Sequence, residues 1–237
     1  MRVNEGNRDI DPARSVGTQG DRGLDATQGA QDPHPTRGEV LDRSFFERDA
    51  VLVAPELLGC TVTVNGVTVR LTEVEAYRQD DPASHAFRGP TRRTAVMFGP
   101  AGHLYVYFTY GMHYCGNLVC GPEGYGSGVL MRAGEVVDGL DAARERRGSR
   151  IADRDLARGP ARLAQAMGWD KADDGRDMIG AVRQGVTAAV LAGPRTGITK
   201  AADEAWRFWI PGDRFVSPYK RHPKAPPAEA ESPVSER

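Results

Sequence analysis

The stretch Cys60–Tyr77, CTVTVNGVTVRLTEVEAY, carries the clearest structural signal in the chain. Asn65-Gly66 stands between two β-branched runs, the pattern of a two-residue type I′ hairpin turn. In a regular pleat Val67, Val69, Leu71, Glu73, Glu75 and Tyr77 of the second strand share one face. That face begins apolar and ends with two carboxylates. Carboxylates at the end of a core-facing run are costly unless they are paired or used, so Glu73 and Glu75 are candidates for one or the other.

Working outward, Arg48-Asp49 before AVLVAPELLG predicts a capped helix ending at Gly59. Residues 78–102 hold Gly, Pro, Asp and Arg with little period and read as a long loop, a length usually kept for function. HLYVYFTY then alternates, with Leu104, Val106 and Phe108 on one side and Tyr105, Tyr107 and Thr109 on the other. A turn at Tyr110-Gly111-Met112-His113 leads to a second strand, YCGNLVC, and SGVLMRAGEVV reads as a third. Gly159-Pro160 opens a helix, ARLAQAM, with proline at its first position. AWRFWI and RFVS read as a closing strand pair. The sum is an α+β fold, one mixed domain with much antiparallel sheet and surrounding helices. Residues 1–38 and 220–237 lack an apolar period and are expected to be disordered tails, leaving a domain at 39–219.

The chain of 237 residues is long enough for one sizeable core. It shows no apolar run of membrane-spanning length and no signal-peptide pattern at its start. With three cysteines, Cys60, Cys115 and Cys120, the expectation is free thiols and a cytoplasmic protein, nucleoid-associated in a bacterium. The net charge of −1 does not itself favour a nucleic-acid partner. Arginines are nonetheless concentrated at 144–162, with a smaller group at Arg88, Arg92 and Arg93, and either group can serve phosphates or be a solvated face. Lysine occurs only at Lys171, Lys200, Lys220 and Lys224.

Taken singly, the candidate residues have ordinary readings beside functional ones. Glu75 suits a structural ion pair, Tyr105 and Tyr107 a packed sheet face, His85 a surface loop and Asn117 a turn. His113, Cys115 and Cys120 match no closed zinc spacing, so no metal and no cofactor is expected.

Together, EVEAY, SHAFRGPTRRTAVMFGPAGHLYVYFTYGMHYCGN and GVLMRAGE closely resemble the alkyladenine (3-methyladenine) DNA glycosylases. RGPARLAQAMGW and the segment from RTGI to RFVS extend the resemblance over nearly all of 39–219. GPEGYGSG, between Asn117 and Val129, is longer than the matching connection in some relatives. The resemblance implies a curved sheet with a protruding DNA-intercalating hairpin, and a monomer acting on damaged double-stranded DNA away from membranes. It implies that Glu75 activates water, helped by Arg132 and by the Val216 carbonyl. Tyr77 would stack on one face of a flipped base, with His85 and Tyr107 on the other. Asn117 would crowd the amine of guanine. Tyr110 would fill the gap in the duplex, and Met112 would wedge nearby bases apart.

The implied reaction is monofunctional hydrolysis of the N-glycosidic bond of 3-methyladenine, 7-methylguanine and hypoxanthine, leaving an abasic site for base excision repair. Charged lesions should leave most readily, since Glu73 is the one further acid in view. The scarcity of lysine argues for water rather than an amine as nucleophile. Rival readings are a non-catalytic DNA-binding module, a sugar glycosidase using Glu73 with Glu75, and a thiol enzyme built on Cys115.

Overall fold

The computed structural model describes residues 38–109, 111–186 and 189–227. Among them a nine-stranded sheet is formed by β1 (Thr61–Val64), β2 (Val67–Tyr77), β3 (His103–Thr109), β4 (His113–Val119), β5 (Gly128–Asp138), β6 (Arg176–Asp177), β7 (Val182–Arg183), β8 (Leu191–Gly193) and β9 (Arg207–Trp209). Seven of these strands run in the order β6-β3-β4-β5-β2-β1-β7, β9 pairs with β2 and β8, and every pairing is antiparallel. The helices are α1 (Arg43–Phe46), α2 (Ala50–Glu56), α3 (Leu140–Arg147) and α4 (Pro160–Met167). This is the mixed α+β class expected, with a curved antiparallel sheet. No helix among the described residues is long and apolar enough to cross a membrane.

Local chemistry explains most of the elements. Asn65 and Gly66 both adopt positive φ, 52° and 76°, as a type I′ turn requires. The Asp49 side chain caps α2 by accepting from the Val51 amide at 2.8 Å. That helix stops at Glu56, short of Gly59, and a turn carries the chain on. Pro160 opens α4 as its first residue, and Gly168, at φ 68°, closes it.

β2 is the spine of the sheet. Along its length it pairs with β5 on one side, and on the other with β1 and then β9. Its ladder with β5 shifts register beside Glu73, so the pleat is not regular there. The expected pairing of AWRFWI with RFVS does not form. β9 instead takes β8 as its second neighbour, and residues 214–217 make turns that lay the Ser217 amide on Glu73, 2.8 Å away.

The arginine-rich run at 144–162 is mostly structural. Arg146 donates to the carbonyls of Ala166 and Asn65, and Arg147 to that of Leu156. Arg144 forks onto Asp153, and Arg158 donates to the Val216 carbonyl at 2.8 Å. These bonds tie α3, α4 and the turn at 214–217 together, leaving Arg150, Arg154 and Arg162 exposed.

Residues 1–37 and 228–237, which hold most of both expected tails, lie outside the described residues. Residues 220–227 are described and bonded to the body. Arg221 pairs with Asp203 at 2.9 Å, and the Lys220 carbonyl accepts from the Gly197 amide at 3.0 Å.

On the core side of β4, Gly116 lies directly under the Trp169 indole. A Cβ there would meet the ring carbon Cζ3 at 2.6 Å, and Leu104 is packed alongside. Gly116→Ala is therefore expected to destabilise the fold by about 1–3 kcal/mol through overpacking. A urea midpoint unchanged from wild type would contradict this account of the close approach.

Candidate active site

One row of residues crosses four strands. Glu75 on β2 lies opposite Leu130 on β5, Leu130 opposite Asn117 on β4, and Asn117 opposite Tyr105 on β3. Residues two positions away in each strand share that face, which adds Tyr77, Arg132, Cys115 and Tyr107. Together they line a cavity of about 350 Å³, within the size range of small-ligand pockets. The other face of β3, with Leu104 and Val106, packs into the main core, as the alternation predicts.

Three segments outside these strands close the cavity. The 78–102 loop contributes His85 and Met97, the start of α4 contributes Pro160 and Ala161, and the RTGI segment contributes Thr196, Gly197 and Ile198. β2 and β3 are three strand spacings apart, roughly 14 Å between strand axes, so Tyr77 and Tyr107 mark opposite ends of the floor.

Glu75 is fully buried yet lines the cavity. Its Oε1 accepts from the Thr196 amide at 2.7 Å and faces Arg132 Nη1 at 3.2 Å. Its Oε2 accepts from the Tyr77 hydroxyl at 2.8 Å. A carboxylate has about four acceptor positions, so one on Oε2 is left by these contacts. Burial, and then Glu75 itself, push the Tyr77 hydroxyl well above its ordinary pKa, so it stays protonated and donating.

Glu73 has a different fate. Its Oε1 accepts from Arg207 Nε at 2.6 Å and Arg132 Nε at 3.0 Å, and its Oε2 from the Ser217 amide. It does not line the cavity. Burial raises its pKa, but Arg132, Ser217 and Arg207 outweigh that and hold it below its ordinary value. Glu73 is therefore poorly placed as a further acid, because two arginines hold it ionised and it does not line the cavity. The sugar-glycosidase reading loses its second carboxylate with it.

The aromatic wall is preorganised. Tyr105 and Tyr107 stack with centroids 5.5 Å apart, and His85 meets Tyr107 edge-on at 4.6 Å. His85 Nδ1 shares a hydrogen bond with the Tyr105 hydroxyl at 3.2 Å. His85 lines the cavity and is also exposed to solvent. Packing against the tyrosines, and then the charge of Arg93, push its pKa well below 6.5. Arg93 lies 5.9 Å above the Tyr107 ring, and it is exposed along with Arg88 and Arg92.

Asn117 is buried in the floor. Met112 is 69% exposed just beyond β3, while Tyr110 lies outside the described residues. The Val216 carbonyl, expected beside the water, is not part of the cavity lining and accepts from Arg158 instead.

Sequence reasoning missed two parts of the site. One is Thr196, whose amide holds Glu75. The other is Arg195, whose fully buried side chain pairs with Asp81 and donates to the Ala76 carbonyl at 3.0 Å. Its guanidinium lies 4.6 Å from the centre of the Tyr77 ring and 5.1 Å from that of Trp206. No local signal marks either contact, since Asp81 and Arg195 are 114 residues apart. Cys115 lines the cavity, but burial pushes its thiol up, away from the thiolate a cysteine nucleophile needs.

An antiparallel sheet bearing an aromatic cavity that ends on a buried carboxylate defines a site for a flat aromatic ring. Comparison with known proteins gives the family. Residues 44–214 match the model of the family described as Methylpurine-DNA glycosylase (MPG). A protein of Leifsonia xyli subsp. xyli is 51% identical over 198 residues, spanning 76% of this chain and 93% of its own. One from Burkholderia lata is 52% identical over 197 residues, spanning 78% and 95%. One from Streptomyces avermitilis is 50% identical over 197 residues, spanning 77% and 92%. All three carry the name "Putative 3-methyladenine DNA glycosylase". The chain belongs to the methylpurine-DNA glycosylase family and is a DNA glycosylase.

Glu73→Gln should cost about 3 kcal/mol at pH 7, because it leaves two buried guanidinium groups short of a counter-charge. The folded pKa of Glu73 is depressed, so its stabilisation is full above the ordinary carboxylate value and is lost as pH falls through the folded one. The gap between wild type and variant in urea denaturation should thus narrow in acid. A variant as stable as wild type at pH 7 would refute this.

His85 should titrate in the folded protein with a midpoint well below 6.5, read from its imidazole proton shifts by NMR. It is then neutral at pH 7, and its contribution to stability is full above 6.5 and declines as pH falls toward its folded value. A midpoint at or above 6.5 would contradict the packing described.

Proposed function

We propose that the chain hydrolyses the N-glycosidic bond of alkylated purines flipped out of duplex DNA, 3-methyladenine foremost, as a monofunctional enzyme of base excision repair. The observation that carries this is Glu75, fully buried, held by three donors, and retaining one acceptor position at the wall of an aromatic cavity. The names of the relatives supply the lesion.

In this reading the extruded purine enters between Tyr77 at one end and Tyr107 with His85 at the other, where ring faces bind any purine π-surface. Asn117, in the floor, excludes the exocyclic amine of normal guanine. Tyr110 and Met112 occupy the gap left in the duplex, and exposed Arg88, Arg92 and Arg93 meet phosphates. As the base departs, positive charge develops on the sugar, and the Glu75 carboxylate stabilises it while taking a proton from water. Arg132 remains charged, because Glu75 and Glu73 more than offset its burial, and it keeps the Glu75 carboxylate oriented.

A purine alkylated at N3 or N7 carries its own positive charge and leaves as a neutral base. Hypoxanthine and other neutral lesions need a proton, and His85 is neutral near pH 7 while Glu73 is bound up. The charged lesions 3-methyladenine and 7-methylguanine are therefore the preferred substrates, and hypoxanthine is slower. Among the described residues no lysine lines the cavity, which supports water over an amine nucleophile and an abasic product with an intact strand.

Single-turnover assays on duplexes carrying one lesion test the reading. Wild type should release 3-methyladenine faster than hypoxanthine without cutting the strand. Glu75→Gln should bind the lesion duplex normally but release base at least about a hundredfold more slowly. Release by the glutamine variant at near wild-type rate would remove Glu75 as the base.

A further inference from the structure

The two oxygens of Glu75 are not equivalent. Oε1 is met by two donors, the Thr196 amide at 2.7 Å and Arg132 Nη1 at 3.2 Å. Among the described residues Oε2 is met by one, the Tyr77 hydroxyl at 2.8 Å. A carboxylate oxygen accepts at about two positions, so the open one lies on Oε2, beside that hydroxyl.

The backbone places this phenol deliberately. Glu75 and Tyr77 stand two apart on β2, where the ladder to β5 is in regular register, and both line the cavity. The residue opposite Tyr77 is Gly128, which carries no side chain to crowd the ring. The phenol therefore leans along the strand and closes on its neighbour. Arg195 braces it from behind. Its Nη1 donates to the Ala76 carbonyl at 3.0 Å, it pairs with Asp81, and its guanidinium lies over the Tyr77 ring at 4.6 Å. Burial, and then Glu75, keep the hydroxyl protonated.

We infer that the Tyr77 hydroxyl is a positioning group for the hydrolysis, separate from the stacking role of its ring: by filling one acceptor position of Oε2, it leaves the other as the single place from which Glu75 takes a proton from water. Without it, water divides between two positions and spends less time at the one that serves C1′. The hydroxyl keeps its own proton throughout. The water oxygen forms its bond to C1′ as the C1′–N bond breaks, and the electron pair of that bond leaves with the purine. One water proton passes to Oε2, and the other hydrogen stays on the new sugar hydroxyl. One side chain thus offers its ring to the base and its hydroxyl to the carboxylate, so a base that displaces the ring also disturbs Glu75. This rests on Glu75 being the base, as proposed above.

Tyr77→Phe keeps the ring and removes the hydroxyl. The experiment measures single-turnover release of 7-methylguanine, together with affinity for a duplex whose 7-methylguanine is made uncleavable by a 2′-fluorine. The phenylalanine variant should release base about tenfold more slowly, with affinity within about twofold of wild type. In a Glu75→Gln background the same substitution should slow the residual release by less than about twofold, since no carboxylate is left to position. A phenylalanine variant within twofold of wild type in rate overturns the inference. So does a loss confined to affinity, or a tenfold loss repeated in the Glu75→Gln background. If the phenylalanine variant does not fold, 4-fluorophenylalanine at position 77 fills the space of the hydroxyl with no proton to give and carries the same comparison. An inactive Glu75→Gln beside a fully active phenylalanine variant overturns the role of the hydroxyl alone, whereas an active Glu75→Gln overturns the reading beneath it.

Discussion

The Arg132 guanidinium, buried between two carboxylates of one strand, is the interaction on which the site depends. Its Nε meets Glu73 and its Nη1 meets Glu75. Two carboxylates two residues apart and fully buried would repel and protonate without a cation between them. The division of labour follows from what else each one touches. Glu73 also holds Arg207 and the Ser217 amide, so it anchors β9 and the turn at 214–217 to β2. Glu75 takes a backbone amide and a phenol instead, and keeps an acceptor position at the cavity wall. One strand thus presents a structural carboxylate and a chemical one, separated by environment rather than by residue type.

The rest of the fold gives that strand end an aromatic room. Four strands set Glu75, Leu130, Asn117 and Tyr105 in a line, and the loop 78–102 folds over it to deliver His85. The buried Arg195–Asp81 pair ties this loop to the segment carrying Thr196 and lies behind the Tyr77 ring. A ring held in this way pays little ordering entropy when a base stacks on it, which is the physical meaning of a preformed pocket.

What was legible in the sequence was local. Asn65-Gly66, the alternation of Leu104 to Thr109, the Asp49 cap and Pro160 each act within a few residues, and each formed the element expected. Long-range pairings were not legible. Arg207 reaches Glu73 across 134 residues and Ser217 across 144, and nothing in RFVS announces that it turns back onto a carboxylate instead of making a strand. The arginine run misled for a related reason. A composition count cannot tell a guanidinium aimed at phosphate from one capping the Ala166 or Leu156 carbonyl. Glu73 and Glu75 looked equivalent on one strand face, and only their partners distinguish them. Of the residues that the family resemblance singled out, Glu75, Tyr77, His85, Tyr107, Asn117 and Arg132 line one cavity, while Thr196 and Arg195 were not among them, because their contacts depend on chain segments far apart in sequence.

The most direct test of the central claim is a high-resolution structure of Glu75→Gln bound to a duplex with a single alkylated purine. The account predicts the purine turned out of the helix, lying between Tyr77 and Tyr107 with its sugar C1′ facing residue 75. A purine still stacked in the duplex, or one held where residue 75 cannot reach its sugar, would contradict it.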